Sequence, residues 1–233
     1  MKNLEKLTRK MEKMLFTFAL ALCLVGCNGK TNTQPTSKTQ DNVVCSTPTP
    51  FVIYLQPFNK ISKNDIENVK KALEKDLIEF CPETNYEYIV EVLPAEKLDD
   101  SFMSTNPNKK RYDAAKIVKH LQKSKNLPVI GLLNEDIELE NYRDKKHWGI
   151  LGFSFTGCKA CVASTCRLKN NKQRDYPRLV EHEFIHAQFG YAHCPNDDQN
   201  CLMKDAKGHS NFSIRKKPCE TCTKEIFKKW LSD

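Results

Sequence analysis

The sequence lacks any hydrophobic run long enough to cross a bilayer comfortably. Its main apolar stretch, residues 15–25, has eleven residues, whereas a transmembrane helix needs about 20. The sequence also lacks a dense basic block with interleaved aromatic residues, although its formal net charge is +8. Because the charges are of mixed sign along the chain, we expect no nucleic-acid partner. With 28% charged and 39% hydrophobic residues, the chain is expected to be globular and soluble.

The N-terminal segment has the order of a secretory signal peptide. Residues 1–13 are basic, the apolar run follows, and it ends in Leu24-Val25-Gly26-Cys27. A small residue directly before a cysteine at this point resembles a bacterial lipobox, which implies cleavage before Cys27 and lipid attachment to it. The alternatives are an ordinary signal peptide and a buried helix. Because the basic segment, the apolar run and the cysteine occur in the order of a lipoprotein signal, we expect residues 1–26 to be a lipoprotein signal peptide.

A polar stretch follows the expected lipidation site. Residues 27–50 are rich in Thr, Ser, Gln, Asn and Pro, a composition that cannot bury a core. We expect a flexible tether from Cys27, with the folded part starting at Phe51. The protein is then expected to be a lipid-anchored lipoprotein of the bacterial cell envelope, on the periplasmic or surface side.

The folded part alternates strand and helix patterns. Apolar and β-branched or aromatic residues predict strands over 51–58, 86–92, 127–133, 148–155 and 160–168. Helical periodicity predicts helices over 62–80, 111–123 and 223–231. Ser62 is expected to cap the first of these helices, with Asp65 three residues on. A further helix is expected before Gly190, with Pro177 near its first turn. This order predicts an α/β domain with a mixed sheet.

The stretch VEHEFIHAQFGYAHC, residues 180–194, has the residue types of a metal site with a base beside it. His182 and His186 lie about 40° apart around a helix, so both can reach one ion. Glu183 lies about 100° round the helix from His182, where it can reach a metal-bound water without binding the metal. The spacing predicts a zinc ion that acidifies water, with Glu183 as general base.

A catalytic zinc needs a third protein ligand, and His193 is the candidate. Seven residues of helix rise about 10.5 Å, so the helix must end between His186 and His193 and fold back. Gly190 permits this, because glycine accepts a left-handed backbone at little cost.

The sequence contains 11 cysteines. In an oxidising, exported compartment disulfides are the general expectation. The nine that remain after Cys23 and Cys27 are set aside cannot all pair within one chain. Cys219 and Cys222 form a CxxC, and with Cys194 and Cys201 they have the spacing of a structural zinc site. A strained CxxC disulfide is the alternative.

The motifs HEFIHAQFGYAHC, CLM and CETC together resemble those of the archaemetzincins (archaelysins), a metzincin-type family of zinc metallopeptidases. The family pattern is HExxHxxGxxHC, then CxM, then CxxC. Upstream, the stretches ILGFSFTGCKACVASTCRL, VIGLLNEDI and RYDAAKIVKHL are similar to the family's strand pair and to its preceding strand and helix. The resemblance covers roughly residues 51–230.

The resemblance implies an α/β fold with a metzincin-like mixed sheet, two packing helices, an active-site helix and a Cys-rich zinc-binding C-terminal subdomain. We place the catalytic domain at 51–193 and the Cys-rich subdomain at 194–233. The implied activity is hydrolysis of peptide bonds in a peptide or protein substrate. From the lipobox-like motif we expect this activity at a membrane surface, and we expect the protein to be a monomer.

The resemblance also implies a role for individual residues. Glu183 is the implied general base, and Met203 is the implied Met-turn beneath the metal. Two zinc ions per chain are implied. The ligands of the catalytic ion are His182, His186 and His193. The ligands of the structural ion are Cys194, Cys201, Cys219 and Cys222.

The sequence departs from the family pattern at two places. One extra residue precedes Gly190, and we expect a π-type bulge or a wider turn to absorb it. There are six residues between Cys194 and Cys201 instead of four, and 15 between Met203 and Cys219 instead of 17. If His193 cannot reach the ion, the alternative is a catalytically impaired lipoprotein that binds peptides or metal. A further alternative is a disulfide-rich envelope protein with a fortuitous HExxH.

Several other residues are weaker candidates. His147 and His209 are expected to be lone surface histidines, Arg167 to pair with a carboxylate, and Tyr191 to serve in packing. A disulfide is expected among Cys158, Cys161 and Cys166, or between one of these three and Cys45 or Cys81.

Overall fold

The computed structural model describes residues 49–80, 86–168, 172–196, 198–207 and 212–230. The expected signal peptide, Cys27, Cys45, Cys81 and His209 lie outside these residues. Of the helices in the described part, none is both long and apolar enough to span a membrane.

Eight strands and four α-helices lie along the described residues, with a run of five strands between the second and third helices. The strands are β1 (Thr49–Pro57), β2 (Tyr86–Val92), β3 (Tyr112–Asp113), β4 (Val129–Leu133), β5 (Ile137–Tyr142), β6 (Lys145–Ile150), β7 (Gly152–Ser154) and β8 (Ala160–Ser164). The helices are α1 (Lys63–Phe80), α2 (Ala114–Ser124), α3 (Lys172–Phe189) and α4 (Glu220–Trp230). Two 3₁₀ turns cover Asp100–Phe102 and Phe212–Ile214.

The main sheet has five strands in the order β2-β1-β4-β8-β7. The first four run parallel, and β7 is an antiparallel edge strand whose Gly152 pairs with Ala163 of β8. A second sheet of three strands has the order β3-β5-β6. Its β5–β6 hairpin is antiparallel, with Leu139 opposite Trp148. The predicted mixed α/β fold is confirmed.

Helices cover both faces of the main sheet, as the continuous burial of its central strands requires. Ile130 and Leu132 of β4 face one apolar cluster, with α1 and α3, whereas Val129 and Leu133 face the other, with α2. This alternation is the strand period of two. At the far end of the chain, Trp230 of α4 packs its ring on Phe51 and Phe189, at centroid distances of 5.0 and 4.7 Å.

Local capping explains where two of the helices begin. The Ser62 hydroxyl accepts a hydrogen bond from the Asp65 N–H at 3.1 Å, as the sequence predicted for α1. The Asp113 carboxylate accepts one from the Ala115 N–H at 2.9 Å and caps α2.

Two local predictions need correction, and one hairpin was not predicted. The stretch 148–155 is not one strand, because it holds the end of β6 and all of β7. The β5–β6 hairpin was not predicted. Pro177 lies in the second turn of α3 rather than its first, because that helix already begins at Lys172.

Candidate metal centre

The helix α3 ends one residue before Gly190, which has a φ of +58°. The carbonyl oxygens of His186 and Ala187, in its last turn, accept hydrogen bonds from the N–H groups of Gly157 and Lys159 at 3.1 and 2.9 Å. These contacts satisfy acceptors that a helix end otherwise leaves open. The extra residue before Gly190 is therefore absorbed as one more residue of regular helix, and the expected π-type bulge does not form.

Beyond Gly190 the chain folds back and brings three histidines together. His182, His186 and His193 each offer a ring nitrogen, and the three nitrogens lie within 4.8 Å of one another. The Nε2 atoms of His182 and His186 are 3.1 Å apart. The ring of His193 lies 5.4 and 4.7 Å from the rings of His182 and His186, between centroids. The structure thus gathers the three residues that the sequence singled out.

Backbone acceptors fix the orientation of two of these rings. The Nδ1 atom of His182 lies 2.7 Å from the Leu202 carbonyl oxygen, and that of His186 lies 2.5 Å from the Tyr191 carbonyl oxygen. A carbonyl oxygen only accepts, so each Nδ1 carries the proton. The lone pairs of both Nε2 atoms are left free to face a shared point, as metal ligands require.

The three imidazoles are electrically neutral near neutral pH. Burial lowers the pKa of His182 well below its ordinary value and lowers that of His186 to about 4. Partial desolvation also lowers the pKa of His193, whose side chain is otherwise exposed. Neutral imidazole is the form that binds metal, and tetrahedral zinc with Zn–N bonds of about 2.05 Å places two nitrogens about 3.3 Å apart. The donor set and the 3.1 Å separation of its first pair therefore fit zinc.

Glu183 lines the same cleft as the three histidines. Its side chain is buried, and this burial raises the pKa of the carboxyl to about 8. The Glu183 side chain lies against the backbone of Gly152 in β7, where an added Cβ would come within 2.6 Å of the Glu183 Cγ atom. Any larger residue at this position would require the Glu183 side chain to shift.

The segment Cys201–Lys204 contacts the histidine cluster through the Leu202 carbonyl oxygen. Met203, the expected Met-turn residue, is fully buried, and its carbonyl oxygen accepts a hydrogen bond from the Cys194 N–H at 2.7 Å. The next carbonyl, of Lys204, accepts from the buried Arg215 guanidinium at 2.6 Å. Arg215 also stacks over Phe212, whose ring contacts that of His182 at a centroid distance of 5.8 Å. Sequence reasoning missed Leu202, Phe212 and Arg215, because no local pattern marks a residue that acts through a backbone carbonyl or a ring contact.

The four cysteines of the predicted second site converge as free thiols. The Sγ atom of Cys219 is 3.8 Å from that of Cys194 and 3.5 Å from that of Cys222. The Sγ atoms of Cys201 and Cys222 are 3.6 Å apart. A tetrahedral zinc with Zn–S bonds of about 2.3 Å sets sulfur atoms about 3.8 Å apart. The cluster therefore fits one zinc ion, whereas a disulfide needs about 2.05 Å between its sulfurs.

The remaining candidates lie elsewhere. Cys158, Cys161 and Cys166 have free thiols, so the disulfide expected among them is not found; Cys161 points into the core from β8, while Cys166 is exposed beyond the end of that strand. Arg167 pairs with Asp136 at 2.6 Å, as expected. The half-buried His147 contacts Glu138 at 2.8 Å and is not a lone surface histidine. Tyr191 packs in the core, as expected.

Comparison with known proteins shows a likeness in structure alone. No protein-family model matches the sequence, and no curated protein matches it significantly. The structure is similar to crystalline archaemetzincin from Archaeoglobus fulgidus complexed with malonate, with a TM-score of 0.56 and 20% identity over 75% of this chain and 99% of that one. The fold is archaemetzincin-like.

A second structure, metalloproteinase-II from Bacteroides fragilis, matches more loosely. It has a TM-score of 0.49 and 12% identity, over 78% of this chain and 53% of that one. A score at this level is too low to support a shared fold. The archaemetzincin-like fold thus stands on the first comparison, and the histidine and cysteine clusters point to zinc as the metal.

Proposed function

We propose that the protein is an archaemetzincin-type zinc metallopeptidase that hydrolyses peptide bonds. The observation that carries this proposal is the convergence of three neutral imidazoles beside a buried carboxyl, in a cleft of about 590 Å³. The imidazoles belong to His182, His186 and His193, and the carboxyl belongs to Glu183. Three protein ligands with space for a substrate are typical of catalytic rather than structural zinc sites.

The residues of the cleft divide the chemistry between them. The three histidines would hold a zinc ion, which when bound supplies Lewis acidity to polarise an amide carbonyl and to acidify water. Glu183 accepts the proton of the attacking water on its carboxylate and returns it to the leaving amine. Its pKa of about 8 would fall beside a bound cation, which favours the ionised form that accepts the proton. The edge strand β7 holds this carboxyl in place through its contact at Gly152.

The four-cysteine cluster is proposed to hold a second zinc ion with a structural role. Two of its thiols, Cys201 and Cys222, are buried, and all four are used by the cluster itself. A site closed by four protein sulfurs leaves no position for a substrate. Its contribution to hydrolysis would therefore be to fix the Cys201–Lys204 segment that contacts the histidine cluster.

The experiment that tests the proposed function compares the wild type with Glu183→Gln on a broad peptide library. The wild type is expected to cleave peptides, and the variant to lose about 10²–10⁴-fold in rate while keeping its bound zinc. Equal cleavage by both proteins would overturn the proposal. Zinc binding without cleavage by the wild type would instead support a peptide- or metal-binding protein.

A matched control lies two residues away on the same helix. Glu181 is also buried, and burial raises the pKa of its carboxyl well above the ordinary value. The Glu181 carboxylate accepts a hydrogen bond from Arg178 at 2.7 Å, and glutamine has the same length and keeps an acceptor oxygen for that contact. Glu181 does not line the cleft, so Glu181→Gln is expected to retain hydrolysis, which separates loss of the base from general damage to α3.

We further propose that the domain acts as a monomer at a membrane surface, held by lipid on Cys27, where its partner is a peptide or protein substrate. The motif Leu24-Val25-Gly26-Cys27 supports this. Cell fractionation tests it: the wild type is expected in the membrane fraction, and Cys27→Ser in the soluble fraction. A wild type found in the soluble fraction would contradict the anchor without bearing on hydrolysis.

A further inference from the structure

The β5–β6 hairpin forms one wall of the cleft. Its apolar side chains Leu139, Trp148 and Ile150 line the cleft together with the histidines. Toward the tip of the hairpin the lining changes to Tyr142, Arg143 and Lys145. A substrate in the cleft would therefore contact apolar side chains along the hairpin and positively charged side chains near its tip.

Positive charge predominates in the cleft. Arg143, Lys145 and Lys207 line it, against the carboxyl groups of Glu183 and Asp205. Within the described ranges, no carboxylate lies within salt-bridge distance of the side chains of these three cations. Unpaired charges of one sign that line a cleft focus its field and attract ligands of the opposite sign.

Two of the cations are stacked on aromatic rings of the hairpin. The Lys145 Nζ atom lies 4.0 Å from the centroid of the Trp148 ring. The Arg143 guanidinium carbon lies 5.3 Å from the centroid of the Tyr142 ring. Cation–π contacts at these distances are attractive. They restrain both charges against the wall, so that less conformational entropy is lost when a ligand carboxylate pairs with them.

The base of the hairpin is held by a buried ionic network. Glu138 of β5 is fully buried and accepts hydrogen bonds from Arg111 at 3.0 Å, from Asn106 at 2.9 Å and from His147 at 2.8 Å. His147 belongs to β6, so one carboxylate ties both strands of the hairpin to the segment before β3. The Glu138 network thus fixes both strands of the hairpin, and with them the positions of the cations that line the cleft.

We propose that this cleft selects peptides with an acidic side chain near the scissile bond, held by Lys145 and Arg143. The inference rests on the proposed peptidase function, whose substrate class it names. Pairing at an exposed rim is modest for each contact, but both restrained cations line the same cleft. Because such pairing is screened by salt, the preference for acidic peptides should weaken as ionic strength rises.

The test uses full-length protein and peptides that differ only by Glu or Gln, placed in turn on each side of the cleaved bond. At low salt the wild type is expected to show a kcat/KM at least about fivefold higher for the best Glu peptide than for its Gln partner. Lys145→Glu is expected to abolish or reverse this ratio. The matched control is Lys146→Glu, because Lys146 neighbours Lys145 on β6 but does not line the cleft.

Binding is measured in parallel with zinc-loaded Glu183→Gln protein, through the fluorescence of Trp148 in the cleft wall. The Glu183→Gln protein is expected to bind the Glu peptide more tightly than the Gln peptide. Adding Lys145→Glu should remove this difference, and adding Lys146→Glu should keep it. That result would support the proposal even if no peptide were hydrolysed. Hydrolysis with equal rates for Glu and Gln peptides would overturn the specificity and leave the peptidase intact. An equal effect of the two lysine variants, or no binding of either peptide, would also overturn it.

Discussion

The Nδ1 atom of His182 lies 2.7 Å from the carbonyl oxygen of Leu202. This contact joins the helix of the three-histidine cluster to the segment that supplies Cys201 to the four-cysteine cluster. Lys204 lies two residues after Leu202, and its carbonyl oxygen accepts a hydrogen bond from the Arg215 guanidinium at 2.6 Å. The orientation of a histidine ligand is therefore tied to a short segment that a buried guanidinium holds in place.

Substitution of Arg215→Met is expected to weaken zinc binding at the histidines. It removes the hydrogen bond from the Arg215 guanidinium to the Lys204 carbonyl oxygen, which should lower the free energy of unfolding by about 1–3 kcal/mol. Loss of a group that directly holds a metal ligand typically costs about 10–100-fold in metal affinity. Because Arg215 acts one step further back, through the Lys204 carbonyl, a loss at the lower end of that range is expected. Competition with a chromophoric chelator and a cobalt(II) titration measure both sites. Lys216→Met is the control because its side chain is exposed, and equal affinities in the two variants would contradict the link.

Gly152→Ala is expected to reduce hydrolysis without loss of zinc. The added methyl group would lie 2.6 Å from the Glu183 Cγ atom and must displace that side chain. A displacement of about 1 Å in a catalytic group can cost about 10²-fold in rate. Ser154→Ala, in the same strand, is expected to change the rate far less. Peptide hydrolysis and metal analysis check this, and wild-type rates in Gly152→Ala would argue against the role of Glu183.

Glu138→Gln is expected to lower stability at neutral pH and to flatten its pH dependence. Burial alone would raise the pKa of Glu138, but hydrogen bonds from Ser104, Asn106, Arg111 and His147 outweigh it and lower the pKa to about 2. Since the folded pKa is below the ordinary value of 4.5, the stabilisation is present above about pH 4.5 and lost as the pH falls toward 2. From the size of this shift, the wild type should lose about 3 kcal/mol more than the variant over that range. Chemical denaturation at a series of pH values measures the difference, and parallel curves would exclude the network as a source of stability.

Alkylation is expected to separate the cysteines into two groups. In the zinc-loaded protein, the exposed Cys166 should react first. The cluster thiols of Cys194, Cys201, Cys219 and Cys222 should react only after a strong chelator is added, because zinc holds them as ligands. Peptide mapping by mass spectrometry identifies the modified residues. A disulfide between Cys219 and Cys222 in freshly purified protein would favour the alternative interpretation of this CxxC.

The parts of the fold that local pattern describes were predictable. Period-two and helical spacing placed β1, β2, β4 and the first two helices within a few residues. The need for the chain to turn back at Gly190 followed from helix geometry alone, because His193 cannot otherwise approach His186. These features depend only on residues near one another in sequence.

The features that depend on distant partners were not predictable. The β5–β6 hairpin is rich in charge and gave no strand signal, since Glu138 becomes a core residue only through Arg111, 27 positions earlier. The absorption of the extra residue by α3 likewise depends on Gly157 and Lys159, which supply N–H donors to the lengthened helix end. The sequence around Arg215 and around Leu202 contains no motif that predicts their contacts with the histidine site.

One peptide bond joins His193 to Cys194, so the last donor of one cluster and the first donor of the other are consecutive residues. An inserted residue between Gly190 and Cys194 would shift a donor by up to about 3.8 Å, farther than the length of any zinc–ligand bond. The extra residue already present before Gly190 is accommodated within α3, which runs as regular helix to Phe189. The two clusters therefore fix the length of the segment from Gly190 to Cys194. Insertions and deletions are expected only outside this segment.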